Sequence, residues 1–279
     1  MTIHPMQIRA GEQEVRQLLR LSTRDEAEFR FGPTRSFVKR LRGVIPRMVP
    51  IALALALAAT AGPSRAARPM LTDDARWVDP GACQIETWQK VNRGSRERWA
   101  FPACNPTGAL EITAGGNDLP DGDGGRINDY VLQGKKILRP LETNGYGYGL
   151  AVGAFFHGDP QPGQGQLKNA YFYVPISKSF LDDRLIVHVN LGAQNDHDTR
   201  ARSFTWGVGA EINVTPRFAF IAESYGDDRA RPFIQGGIRF WIVPNRFQID
   251  TTIGAQSGDI GATRWFTTGI RLISPPFLK

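Results

Sequence analysis

Few residues of this 279-residue chain could carry chemistry. After position 66 only His157, His188 and His197 offer an imidazole base. A serine hydrolase needs a serine within hydrogen-bond reach of such a base and a third group to orient it. His188 lies in Leu185-Ile186-Val187-His188-Val189-Asn190-Leu191-Gly192, with no serine two residues away, and His197 lies in a polar stretch. No local hydrolase motif is present, and the chain reads as non-enzymatic. Asp121-x-Asp123-x-Gly125 begins like a calcium loop, but Leu132 stands where the closing glutamate belongs. No metal and no cofactor is expected. The Asp-Asp pairs at 73–74, 182–183 and 227–228 read as turn residues.

The two cysteines read as structural. Cys83 and Cys104 flank a candidate hairpin whose turn is Asn92–Ser95. Counting outward from Val91 and Arg96 brings the cysteines opposite each other, where Cα atoms lie within reach of a disulfide. A metal site would need more ligands, and a redox pair would be spaced CxxC.

The remaining polar residues of interest lie on strands. In Phe204–Asn213, Phe204, Trp206, Val208, Ala210 and Ile212 point one way and Thr205, Gly207, Gly209, Glu211 and Asn213 the other, the period of a half-buried strand. Candidate strands are 84–91, 96–103, 107–115, 130–139, 146–156, 168–178, 184–193, 204–213, 217–225, 231–242, 246–256 and 264–273. Parity places His188, Asn190, Glu211, Glu223, Arg239, Asp250 and Arg271 together on the polar face. With Pro244-Asn245 as a turn, Arg239 falls opposite Asp250. This face lines either a selective passage or a salt-bridge network that fills a narrow lumen.

Compact connections at Leu181–Arg184, Thr215-Pro216 and Pro244-Asn245 alternate with longer polar ones at 116–129, 157–167, 194–203, 226–230 and 257–263. Aromatics collect at strand ends. Tyr146, Tyr148, Phe180, Phe218, Phe220, Phe240 and Phe247 lie near the short turns. Phe156, Phe204, Trp206 and Phe266 lie near the long loops. Turn asymmetry and two aromatic girdles around an aliphatic band fit an outer-membrane barrel better than a soluble sandwich. The expected fold is all-β, a transmembrane antiparallel up-and-down β-barrel of twelve strands. Ten strands plus a periplasmic hairpin is the alternative, because Glu86, Lys90, Arg96 and Arg98 charge the first hairpin.

Export is legible at the N-terminus. The apolar run Met48–Ala61 follows Lys39, Arg40, Arg42 and Arg47 and precedes Ser64-Arg65-Ala66, the layout of a signal peptide cleaved after Ala66. The run is too short for a spanning helix. Residues 1–66 thus form an N-terminal extension and signal peptide, 67–82 a periplasmic arm without periodicity, and 83–279 the barrel. The net charge of +7 does not imply nucleic acid. Residues 1–66 hold 11 of the 34 Lys+Arg and 5 of the 27 Asp+Glu, so the rest is nearly neutral.

Arg68-Pro69, Thr72-Asp73-Asp74-Ala75, Val78, Pro80-Gly81, Gln84, Glu86 and Thr87 resemble the start of mature proteins in the phenol-degradation (MetA-pathway) outer-membrane family. The resemblance implies an outer-membrane barrel and uptake of small hydrophobic or aromatic compounds, and carries over no catalytic or ligand residues. The sequence as a whole points to the bacterial outer membrane and a passive channel or transporter for small molecules. The alternatives are a structural or surface-interaction barrel with a plugged lumen and, third, an outer-membrane lipid hydrolase. Expected partners are outer-membrane lipid, lipopolysaccharide and the outer-membrane insertion machinery.

Overall fold

Alternating side chains become alternating burial, most completely in the last strand. In the strand Trp265–Ile273, Trp265, Thr267, Gly269, Arg271 and Ile273 are buried, while Phe266, Thr268, Ile270 and Leu272 are exposed. A computed structural model describes residues 70–120, 126–158 and 165–278. The signal-peptide reading of 1–66, and Asp121, Asp123 and Gly125, lie outside the described residues.

Twelve antiparallel strands run in chain order: β1(Cys83–Asn92), β2(Ser95–Cys104), β3(Glu111–Pro120), β4(Arg126–Arg139), β5(Tyr146–His157), β6(Leu167–Phe180), β7(Leu185–Asp196), β8(Arg202–Asn213), β9(Phe218–Asp227), β10(Phe233–Val243), β11(Phe247–Gln256) and β12(Trp265–Ile273). Each pairs with its neighbours, and β1 closes the barrel on β12, from Gln84↔Ile273 to Asn92↔Trp265. Closure satisfies every ladder edge, which lipid demands. The charged first hairpin is therefore part of the wall, and the count is twelve. Glu86 and Lys90 share the inward parity of Gln84, away from lipid, while Arg96 and Arg98 have outward parity and are exposed near the loop rim, Arg98 beside Asp118.

Strands on the loop rim are longer than expected. β3 and β4 continue through most of 116–129, with Asn117↔Asp129 and Asp118↔Asn128 in register. Apolar alternation ends there because both faces meet water beyond the bilayer, yet the backbone keeps its ladder. Polar composition alone read that stretch as loop.

The register puts Cys83 opposite Cys104, and the two form a disulfide with Cα atoms 4.0 Å apart. Thiol titration of the unfolded, unreduced protein is expected to find no free thiol. Replacing both cysteines by serine is expected to cost about 3 kcal/mol in denaturant unfolding, from loop-closure entropy. Two titratable thiols would refute the pairing.

The exterior is apolar. Leu150, Val152, Val208, Ile253 and Ile270 point outward between exposed aromatics: Tyr146, Phe180, Phe220 and Phe240 toward the rim that carries the termini, Phe204 and Phe266 toward the loop rim. Inside, buried Arg239, Arg271, Glu211 and His188 stand where a soluble protein would have its core. A contiguous apolar outer face around a polar interior has its lowest free energy in a bilayer. The sole cluster of buried apolar side chains among the described residues is Val78, Ala82, Trp241 and Ile273, at the rim of the termini.

Candidate functional site

The lumen is built from the wall inward, and its central occupant is the chain itself. Residues 70–82 do not trail into the periplasm as an arm. They enter the barrel from the rim where β1 begins and run up its inside. Met70, Thr72, Asp74, Ala75, Val78 and Ala82 are buried there. Eight-stranded barrels are filled by side chains and barrels of sixteen or more keep a water channel. Twelve strands leave a space that one extended segment can fill.

An extended segment inside a barrel must satisfy its backbone N–H groups without a ladder. The wall supplies acceptors. Glu223 takes the N–H of Leu71 and of Thr72, each at 2.7 Å. The Asn190 amide, oriented to satisfy both groups, accepts the Asp73 N–H at 2.7 Å and donates to its carbonyl at 2.8 Å. Ser177 Oγ accepts from Ala75 N at 2.9 Å, and Glu111 from Val78 N at 2.9 Å. Two glycines give the segment room. A Cβ on Gly207 would lie 2.6 Å from Thr72 Oγ1, and one on Gly209 3.0 Å from Met70 Sδ. Turn chemistry was the wrong reading of Asp73 and Asp74, which lie within the lumen. Asp73 Oδ1 is 3.2 Å from Lys135 Nζ, and Asp74 pairs with Arg76 at 2.5 Å.

All seven residues sorted onto the polar face share the inward parity, and most serve this segment or one another. Glu211 accepts from Arg239 at 2.6 and 3.2 Å and from Arg76 at 2.8 Å. Burial opposes the Arg76 charge, but Asp74 and Glu211 outweigh it and its pKa is raised above the ordinary arginine value. Arg239 and Asp250 are register partners, and the Arg239 guanidinium also spans β9 to reach Glu211. Arg271 Nε lies 3.0 Å from Gln84 Oε1 and 3.3 Å from Glu86 Oε1. These contacts tie the face into a network of buried ion pairs and hydrogen bonds around the segment.

The same region contains a serine within reach of a histidine. Ser177 and His188 are cross-strand partners, with Ser177 Oγ 2.8 Å from His188 Nδ1. Glu211 Oε1 faces His188 Nε2 at 3.3 Å without hydrogen-bond geometry. Distance alone therefore does not remove a hydrolase. Burial argues against one: all three side chains have no exposed surface. Glu211 is held by two guanidinium groups, and Ser177 Oγ is capped by the segment's own N–H. No local sequence pattern could find this group, because Ser177 and His188 meet only across the β6–β7 ladder.

Above the segment the lumen widens into a chamber. The cavity is about 460 Å3, floored by Met70, Leu71, Thr72 and Asp73, and it reaches Asp227 near the loop rim. Aromatic rings wall it. Trp88 and Trp99 stack at 5.4 Å, and Phe101 meets Trp88 edge-on at 5.2 Å. Across the lumen Tyr171 stacks on Tyr173 at 6.2 Å beside Phe155. Tyr225, Phe233 and Trp265 form a third group. Gln133 Oε1 accepts from the Tyr171 hydroxyl at 2.9 Å and lies 3.3 Å from the Tyr173 hydroxyl oxygen, whose proton goes to Asp73. These lumenal rings were missed when only polar residues were assigned to the inner face. Strand parity, Trp265 with Arg271 and Tyr225 with Glu223, was the signal that could have found them.

A closed twelve-stranded barrel, apolar outside and polar inside, with residues 70–82 in its lumen, is an outer-membrane β-barrel. Within that class, the chain belongs to the family described as Uncharacterised conserved protein UCP029691, whose model matches residues 53–273. No curated protein matches it by sequence. Among solved structures it is similar to the KdgM porin, at 6% identity and a TM-score of 0.51, covering 68% of this chain and 98% of that one. It is also similar to the COG4313 outer membrane channel from Pseudomonas putida F1, at 11% identity and TM-score 0.48 over 72% and 98% of the chains. Outer membrane phospholipase A from Escherichia coli matches at 8% identity and TM-score 0.47 over 70% and 93%. At 6% identity the likeness to the KdgM porin concerns the fold alone.

Proposed function

We propose that this protein sits in the bacterial outer membrane and admits small ring-bearing molecules into the chamber from the loop rim, with its N-terminal segment closing the path below. The chamber carries the reading: rings wall a cavity of about 460 Å3 whose floor is the segment. Aromatic walls with a few polar groups suit small planar apolar ligands. The stretch from Arg68 to Thr87 that resembles the phenol-degradation (MetA-pathway) family supports uptake of small hydrophobic or aromatic compounds. Longer loops face outward in barrels of this class, so the loop rim is the outer one. Lipid and lipopolysaccharide then surround the apolar band, and the insertion machinery delivers the exported chain.

Titration with benzyl alcohol in detergent tests the reading. Trp88, Trp99 and Trp265 line or adjoin the chamber, so saturable quenching of tryptophan fluorescence is expected, and Trp88→Phe should weaken it. Unsaturable, linear quenching would remove the chamber as a binding site.

The protein carries no catalysis in this reading. A fluorophosphonate is expected to leave Ser177 unlabelled, and stoichiometric labelling that is lost in Ser177→Ala would reverse that conclusion.

The plugged structural barrel is the second reading, favoured by the Glu211 network. It predicts neither saturable binding nor solute flux under any condition.

A further inference from the structure

We propose that Asp73 occupies the seat of a ligand carboxylate, and that the chamber takes small aromatic carboxylates, which displace the Asp73 side chain from Lys135 and Tyr173. The proposal rests on the chamber reading above and names the class of molecule.

Asp73 is the acidic group that the segment presents to the chamber floor. Its Oδ1 lies 3.2 Å from Lys135 Nζ and accepts from Asp74 N at 2.8 Å. Its Oδ2 accepts from the Tyr173 hydroxyl at 2.8 Å. The Asp73 side chain keeps 19% of its surface exposed, whereas Lys135 behind it keeps 3%. A carboxylate thus stands at the edge of a cavity, in front of a buried ammonium and a phenol hydroxyl. The stacked Tyr171 and Tyr173 rings stand beside it.

That is the donor set a benzoate-like molecule needs. An ammonium and a hydroxyl bind the carboxylate through charge-assisted hydrogen bonds, and flat rings take the aromatic body. The cavity falls in the size range of small-ligand sites. Neither donor needs building by the ligand. Glu111 Oε1, 3.4 Å from Lys135 Nζ, holds the ammonium in place when Asp73 turns away. The Asp73 backbone stays tied to Asn190, so a side-chain rotation vacates the seat.

The seat is tested on the full barrel in detergent with benzoate and benzyl alcohol, two probes of one ring and different charge. In the unmodified protein benzoate must displace Asp73 from the same donors, so its charge-assisted bonds are exchanged and not gained, and it is expected to bind within a few-fold of benzyl alcohol. Asp73→Asn keeps the shape and removes the competing charge, and should tighten benzoate by roughly tenfold, about the worth of one charge-assisted hydrogen bond, while leaving benzyl alcohol unchanged. Adding Lys135→Gln to Asp73→Asn should bring benzoate back down to the benzyl alcohol level. If Asp73→Asn does not separate the two probes, the seat is overturned and the chamber stands. If neither probe binds, the chamber reading falls and the seat with it. Should Lys135→Gln not give a folded, heat-modifiable barrel, the probe pair and Asp73→Asn still decide.

Discussion

Removing residues 70–78 is expected to turn a barrel without steady conductance into an open pore. In planar bilayers the full chain should show, at most, rare and brief openings. The shortened chain should show steady steps, at least about tenfold larger, as an emptied lumen fills with water like that of wider barrels. The wall should survive, because β1 still closes on β12 and the ladder does not involve the segment. A gentler variant addresses the same point. Gly207→Leu would put side-chain atoms where Thr72 Oγ1 now sits, 2.6 Å from the added Cβ position, and should loosen the segment and raise the open fraction. Equal conductance in the full and shortened chains would mean that the segment does not close the path.

Loss of the Glu211 carboxylate is expected to be among the most damaging single changes to stability. Glu211 is fully buried, and its oxygens lie 2.6 Å from the Arg239 guanidinium and 2.8 Å from that of Arg76. Glu211→Ala leaves two buried guanidinium groups short of a counter-charge, and breaking a buried pair this way costs about 3–5 kcal/mol. Urea unfolding in detergent, followed by heat-modifiable mobility, measures it. Adding Arg239→Met should recover part of the loss, because one of the stranded cations is gone, and the coupling follows from a double-mutant cycle. A loss within about 0.5 kcal/mol for Glu211→Ala would place Glu211 in water and remove the filling network as an element of stability.

These expectations depend on separate levels of the molecule. The barrel wall was readable because a strand writes its orientation into neighbouring residues. Phe204 and Val208 face out, Gly207 and Glu211 face in, and nothing distant is needed to tell them apart. The hairpin of Cys83 and Cys104 was readable for the same reason, since a two-residue turn sets the register outward from Arg93-Gly94. The polar extensions of β3 and β4 were not, because the alternation that marks a strand comes from the bilayer and stops at its edge.

Composition and period-two pattern by themselves determined the strands, the facing of their polar residues, the cysteine pairing and the outer-membrane class, and only closure of β1 on β12 decided that the charged first hairpin belongs to the wall. Tertiary structure alone decided what the lumen contains. The segment from Met70 to Ala82 has no periodicity, since its surroundings are a ring of side chains and not a layer. Its N–H groups are met by Glu223 and Ser177, more than a hundred positions away in the chain. Glu211 meets Arg239 across an intervening strand, and the rings of Trp88 and Tyr171 come to wall one chamber only when the sheet closes. Closure turns a linear alternation into an enclosed volume, and what fills that volume depends on its diameter, which no local stretch of sequence encodes.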